Sequence, residues 1–447
     1  MRNISTRHRG AAALLLIAAT AAVAGCNLDL TNPNSPTQQA TVSSPEGLIA
    51  LGVGLQNRFG DSYGNFIYGA GLLTDELGPT VNSLQGVRDA RAGIVTQGAN
   101  VTNDLWDSEY RTIKTANDII LNAANVGLSA GTQSGLLSLA YLIKAEAIAE
   151  LVQSYKELPI KTIGTEAPTF ATRAEGLEYA IALLDTAATT IEATAPSPQF
   201  NSSVLGRGFD LKNTIYAYRA RVERIAKHDA AAVIAANKVA SNVFSIIPFT
   251  TQAPNRVFNL SSGSSGALPV DAFRLSATPG YTTVTGYHIA TAAILGFADL
   301  PLDNYARFTS AASSLPAYYP DEVLLIKAEA LAGSDLAQAQ AVLDSVRTDC
   351  GGLVPDDPNA CLPPIVGALT KAQLVDSIYK MRRYELFATG LRWEDARRRG
   401  LVGETSVAKR CWMPYTVGER NGNPNVPDDP EPSNPPAFPA NCGIAAP

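Results

Sequence analysis

Apolar residues recur at helical steps over much of this chain, and that periodicity restricts it to a mostly α-helical fold. Tyr141, Ala145, Ile148, Val152 and Tyr155 step by four and three across 139–155. The same spacing returns over 175–193, 211–227 and 229–242. The clearest unit pairs Asp321–Ala332 with Leu336–Arg347. Asp321 and Glu322 open its first helix, where the helix dipole favours acids. Gly333-Ser334-Asp335 interrupts the chain, and Leu336, Ala339, Leu343 and Val346 form the inward stripe of the second helix. Further on, Thr370 and Gln373 have the spacing of a capping box, while Gly390 and Gly400 are placed to close helices.

Helix pairs of about three turns, with alanine at the close contacts, resemble tetratricopeptide units. The expected architecture is a tetratricopeptide-like scaffold of helical hairpins near 105–155, 175–242 and 321–400, with long inserted loops. Gly, Asn, Thr and Ser replace the period at 60–104 and 245–318, which are read as loop-rich inserts. Structureless stretches of that length in a compact body are often functional. The last stretch, 413–447, is rich in Pro and Asn and reads as coil.

The beginning of the chain indicates where the rest resides. Arg2, Arg7 and Arg9 precede the apolar run Ala11–Ala24, which is too short to span a bilayer permanently, a task needing ~20 apolar residues. The run exits through Val23-Ala24-Gly25-Cys26, which resembles a bacterial lipobox. Residues 1–25 are therefore expected to be a cleaved lipoprotein signal, with Cys26 acylated, for example by palmitate, and 26–45 a polar tether to a body at 46–447. Cleavage would leave 422 of 447 residues and remove three arginines but no acid, taking the formal charge from −6 to −9. That acidity argues against nucleic acid as a partner, since phosphate binding needs clustered Lys and Arg.

Four further cysteines remain: Cys350, Cys361, Cys411 and Cys442. Outside the cytoplasm an even number suggests disulfides. Three connectivities exist, and short closed loops favour Cys350–Cys361 with Cys411–Cys442. A zinc site would compete, but no CxxC pair occurs and only His8, His228 and His288 are present. No metal or other cofactor is expected. HExxH, GxSxG and GxxxxGK[ST] are all absent, so no catalytic constellation can be named. Asp356-Asp357 and Asp428-Asp429 lack EF-hand spacing and read as exposed turns. Arg397-Arg398-Arg399 reads as a solvated helix end.

One segment supports a family resemblance. Arg382-Arg-Tyr-Glu-Leu-Phe-Ala-Thr-Gly-Leu-Arg-Trp-Glu-Asp-Ala-Arg-Arg-Arg-Gly400 resembles the C-terminal signature of the SusD/RagB family, R-R-x-E-L-x-x-x-G-x-R-W-x-D-x-R-R-x-G. Other segments agree in order. Trp106–Tyr110 with Ala116–Ile120 is similar to the family's W-x-x-x-Y…A-N-x-I-L helix. Ala140–Pro159 is similar to its following helix, although Lys156-Glu157-Leu158 departs from the usual small residue. Glu322–Arg347 and Pro414–Asn425 match two later motifs. The resemblance implies an outer-membrane lipoprotein, exposed on the cell exterior, that works beside a SusC-like TonB-dependent transporter. Such proteins capture oligosaccharide, or in some members peptide, without catalysis or cofactor.

In that family the stretch between an S/T-D-E and the W-x-x-x-Y helix contributes to ligand contact. Here it follows Thr74-Asp75-Glu76 and carries Asn82, Gln85, Arg88 and Arg91, whose multi-donor groups suit hydroxyls, carboxylates or amides. Aromatic rings suit the apolar C–H face of a sugar. Trp106, Trp393 and Trp412 lie in scaffold motifs or beside a bridged cysteine and are expected in the core. Tyr63, Tyr68, Tyr281 and Tyr287, in the expected inserts, are the stacking candidates. Two other classes remain open: a lipid-anchored helical glycoside hydrolase, which needs two carboxylates ~5–9.5 Å apart across a cleft, and a tetratricopeptide-type adaptor for envelope assembly.

Overall fold

The computed structural model describes residues 38–80, 82–260, 266–269, 308, 310–349, 362–403, 407–433, 436 and 440–444. Cys26, Tyr281, Tyr287, Cys350 and Cys361 lie outside them. The fold is mostly helical. In its first half run α1 (Pro45–Leu73), α2 (Gln85–Arg91), α3 (Asn100–Asn122), α4 (Ala130–Ser154) and α5 (Arg173–Ala193). There follow α6 (Leu211–Ile225), α7 (Asp229–Ala236), α8 (Pro320–Leu331), α9 (Leu336–Thr348), α10 (Lys371–Glu385) and α11 (Leu391–Arg398). Neighbours in sequence pack on one another: α3 on α4, α4 on α5, α6 on α7 and α8 on α9.

Three short antiparallel strand pairs tie the connections together: Leu77–Pro79 with Ala267–Pro269, Glu157–Leu158 with Ala171–Thr172, and Ser245–Ile247 with Leu315–Tyr318. Among the described residues no helix is long and apolar enough to cross a membrane.

Local chemistry sets the helix ends. Ser44 accepts from the Gly47 amide at 3.1 Å and Pro45 begins α1, whose fixed φ suits a first helical position. The capping box at α10 is present: Thr370 Oγ1 accepts from the Gln373 amide at 3.3 Å, and Gln373 Oε1 accepts from the Thr370 amide at 3.0 Å. Gly390 precedes α11 with φ of +79°, and a Cβ there would lie 2.4 Å from the Phe66 ring, so both conformation and packing demand glycine.

Two apolar centres account for most of the burial. The larger joins α1 and α3–α7; the smaller lies between α8, α9 and α10 around Leu325, Ala328, Leu343, Val346, Leu374, Ile378 and Met381. The inward stripe of α9 holds at Ala339, Leu343 and Val346, whereas Leu336 is exposed. All three tryptophans are buried as expected. Trp106 packs with Tyr110, Tyr155, Phe170 and Tyr415. Cys411 and Cys442 form the expected disulfide, with Cα atoms 5.4 Å apart.

Several expectations need correction. Residues 60–73, expected in a loop, complete α1, and Gln38–Val42, expected in the tether, forms a short helix. From Phe59 to Leu73 every residue but Asp61 is buried, so this part of α1 is enclosed on all sides and shows no amphipathic period. Residues 85–91, also expected in the insert, form α2. Finally, Arg397 and Arg398 are not a solvated helix end: they are 1% and 2% exposed. A web of carboxylates and carbonyls accommodates them. Arg398 meets Glu329 at 2.6 Å and Asp395 at 2.8 Å, Arg382 meets Asp395 at 2.7 Å, and Arg397 meets Glu394 at 2.8 Å.

Burial alone would raise the Glu329 carboxyl, but Arg398 and Arg224 overcome it and hold the group down at about 2. Buried charges persist only when paired in this way.

Candidate functional site

The last turns of α1, the start of α3, α2 and the short helix Arg256–Leu260 enclose a cavity of 330 Å³. Helical spacing puts Asn65, Tyr68 and Leu72 on one face of α1, and Asn100, Val101 and Asp104 line the opening turns of α3. Arg256 and Leu260 come from the short helix, and Leu84, Gly86 and Val87 from in and beside α2. The approach of the short helix depends on Gly64, where a Cβ would stand 2.5 Å from that of Arg256.

The polar groups are held in a fixed arrangement. Arg256 Nε donates to Asn65 Oδ1 at 3.0 Å, and Arg256 Nη2 meets Asp104 Oδ2 at 3.2 Å. Asn65 Nδ2 donates to the Asp104 carbonyl at 3.2 Å and to Ser108 Oγ at 3.1 Å, which sets the amide's orientation. Burial pushes the Asp104 carboxyl up, and Arg256 opposes the shift. Burial also lifts the Tyr68 hydroxyl above the usual phenol range. A guanidinium, an amide, a carboxylate and a phenol thus converge on a pocket whose remaining wall is Leu72, Leu84, Val87, Val101 and Leu260. A few polar groups on an apolar wall are the usual composition of a small-molecule site, and the volume falls at the lower end of the ~300–1,000 Å³ range.

Tyr281 and Tyr287 lie outside the described residues, and of the other candidates named from the sequence only one lines this cavity. That residue is Tyr68, which is 8% exposed. Tyr63 is 1% exposed and donates its hydroxyl to the Thr389 carbonyl at 3.3 Å, so it is a core residue. Asn82 sits exposed in the turn before α2. Gln85 Nε2 donates to Asp89 at 2.5 Å, Arg88 donates to the Ser83 carbonyl at 2.5 Å, and Arg91 pairs with Asp75 at 3.1 Å. These three side chains brace α2 and its surroundings and do not line the cavity, although Gly86 and Val87 of the same helix do.

Asn65, Asn100, Asp104 and Arg256 were missed. Asp104 stands two residues before the Trp106 motif, the nearest thing to a signal; Asn65 and Arg256 had none. The described residues contain no group of three or more His, Cys, Asp or Glu able to hold a metal ion.

No family model matches the sequence, and no curated protein does. Solved structures do match in shape. A SusD superfamily protein from Bacteroides thetaiotaomicron superposes with a TM-score of 0.67 at 16% identity, over 86% of this chain and 99% of that one. Another from Bacteroides fragilis gives 0.63 at 18% identity, over 86% and 99%. A structure described as a SusD-like carbohydrate binding protein, also from Bacteroides fragilis, gives 0.62 at 15% identity, over 87% and 100%. With so few residues identical, what these matches share with the chain is the helical scaffold, and the chain has the fold of the SusD superfamily.

Proposed function

We propose that this protein captures neutral oligosaccharide in the cavity at Tyr68 and delivers it to a SusC-like TonB-dependent transporter, while Cys26 lipid moors it to the outer membrane, facing the exterior. The convergence of Arg256, Asp104, Asn65 and Tyr68 is the observation that carries this reading. Paired donors and acceptors suit hydroxyls, and the partial neutralisation of Arg256 by Asp104 favours an uncharged ligand over an anion. A similar fold in a protein described as carbohydrate binding supports the ligand class. Capture is favoured over hydrolysis because Asp104 is the one carboxylate lining this cavity among the described residues, and hydrolysis needs two. Tethering would raise the bound ligand's effective concentration at the transporter.

Calorimetric titration with maltoheptaose, cellohexaose, mannohexaose and xylohexaose tests the reading. At least one should bind, and Arg256→Ala or Asp104→Ala should weaken that binding about tenfold or more, since a ligand polar group covered on binding and left unmatched costs ~1–3 kcal/mol. Release of reducing ends would establish a hydrolase instead, and silence across the panel would remove the oligosaccharide. The anchor has its own test. The full chain expressed in an envelope-bearing bacterial host should fractionate with membranes and take up labelled palmitate, whereas Cys26→Ala should do neither.

A further inference from the structure

The fold uses only part of the hydrogen-bonding capacity of the cavity at Tyr68. A guanidinium carries five N–H groups in a rigid planar fork. Arg256 spends Nε on Asn65 and Nη2 on Asp104, at 3.0 and 3.2 Å, while its Nη1 has no partner among the described residues. Asp104 meets Arg256 through Oδ2, and its Oδ1 has no hydrogen-bond partner among the described residues. Both residues line the cavity.

The guanidinium is also fixed from behind. Asn65, which accepts from Nε, is held in turn by the Asp104 carbonyl and by Ser108 Oγ. The plane of Arg256 therefore cannot turn without breaking bonds to α1 and α3. One unused donor end and one unused acceptor are thus presented together, on two side chains already in contact.

An acidic ligand is the poorer match for them. Besides meeting Asp104, Arg256 acts on Asp61, whose carboxyl is raised by burial while Arg256 and then Arg58 oppose the rise. Burial and then Asp107 raise the Asp104 carboxyl against Arg256 and Arg111. A carboxylate brought to Arg256 would meet these acids too. A hydroxyl escapes that repulsion, since its oxygen accepts and its proton can be donated. Two hydroxyls on adjacent ring carbons suit the arrangement better than one, because their oxygens stand about a hydrogen-bond length apart.

We propose that this cavity selects its oligosaccharide by a pair of adjacent ring hydroxyls. Their oxygens accept from the Nη1 end of Arg256, and one of the two donates to Asp104 Oδ1, while the Tyr68 ring and the apolar wall take the C–H face of the sugar. This selectivity rests on the capture reading and names the feature captured. Chains linked 1,4 keep such a pair on every inner ring, whereas chains linked 1,3 keep none there.

The test takes whichever of maltoheptaose, cellohexaose, mannohexaose and xylohexaose binds. Periodate splits the bond between carbons that bear adjacent hydroxyls, and a portion of the same oligosaccharide is so cleaved and then reduced with borohydride. The intact chain should bind at least about tenfold more tightly than the cleaved one, the loss expected for polar groups left unmatched. Laminarihexaose, linked 1,3 with its rings intact, should bind no better than the cleaved chain. Arg256→Lys, which keeps the charge but not the fork, should lose most of the preference for the intact chain. Wild-type binding of the cleaved chain or of laminarihexaose as tight as that of the intact chain would overturn the proposed selectivity and leave capture standing, as would an undiminished preference in Arg256→Lys. Silence from all four oligosaccharides would remove capture itself, and the selectivity with it.

Discussion

Arg397→Met should cost the fold about 3–5 kcal/mol, the penalty for removing one partner from a buried ionic cluster. The guanidinium lies between two indoles, 4.6 Å from the ring centres of both Trp393 and Trp412. Its Nη1 donates to the Cys411 carbonyl at 2.7 Å, and its Nη2 donates to the Gln153 carbonyl and to Glu394 at 2.8 Å. One side chain thus joins α11 to the end of α4 and to the segment stapled by the Cys411–Cys442 disulfide. Burial lowers its own affinity for a proton to about 10, with Glu394 pulling the other way, so it stays charged at neutral pH.

Methionine would fill part of the space but leave two buried carbonyls without this donor and Glu394 with less compensation. Arg397→Lys should recover little, since an ammonium cannot lie flat between two rings and donate in three directions. Equilibrium denaturation is the measurement. A midpoint for Arg397→Met corresponding to less than about 1 kcal/mol of loss would mean that this cluster does not hold the helices together.

That arginine also marks how far the sequence could be read. Three arginines in a row on a short helix look like a solvated end, because the carboxylates and carbonyls that accept them, Glu329 and Gln153 among them, are distant in sequence. Helices with one wet face were legible: the α9 stripe at Ala339, Leu343 and Val346 is buried as its spacing required. So were local devices such as the Thr370–Gln373 cap and the pairing of Cys411 with Cys442. The far half of α1 was not, since a helix buried on every side carries no period, and its glycines and asparagine look like loop composition. The cavity was half legible at best. Tyr68 was named for its ring alone, while Asn65, Asp104 and Arg256 come from α1, α3 and a short helix whose approach only tertiary packing decides.

Arg221→Met should be about as damaging, ~3–5 kcal/mol at neutral pH, and its loss should deepen as pH rises. Arg221 lies across the Tyr218 ring at 4.4 Å and meets Glu322 at 2.6 Å and Glu146 at 2.5 Å. Beyond Glu146 stand Glu150 and Glu109, and all four acids are at most 1% exposed. Burial pushes the Glu109 carboxyl up to about 8, with the neighbouring Glu150 opposing the shift. Glu150 and Glu146 are raised too, by burial first, and Arg221 works against the rise in both.

An acid raised in the fold keeps its proton where the unfolded chain has released it, so folding binds protons and stability falls with rising pH. For Glu109 that window runs from the ordinary 4.5 to about 8, above which the curve levels. Glu329, held down at about 2, acts in the opposite sense: its stabilisation is present above about 4.5 and disappears as pH falls towards 2. The wild-type melting temperature should therefore decline between about pH 5 and pH 8. Arg221→Met should decline more steeply, because a cation that acts on both Glu146 and Glu150 is gone. Glu109→Gln should decline less, since an amide can donate to Glu150 and has no proton to lose. Three parallel melting curves across that range would show that these carboxyls do not titrate as a buried set, whatever the size of the Arg221→Met loss.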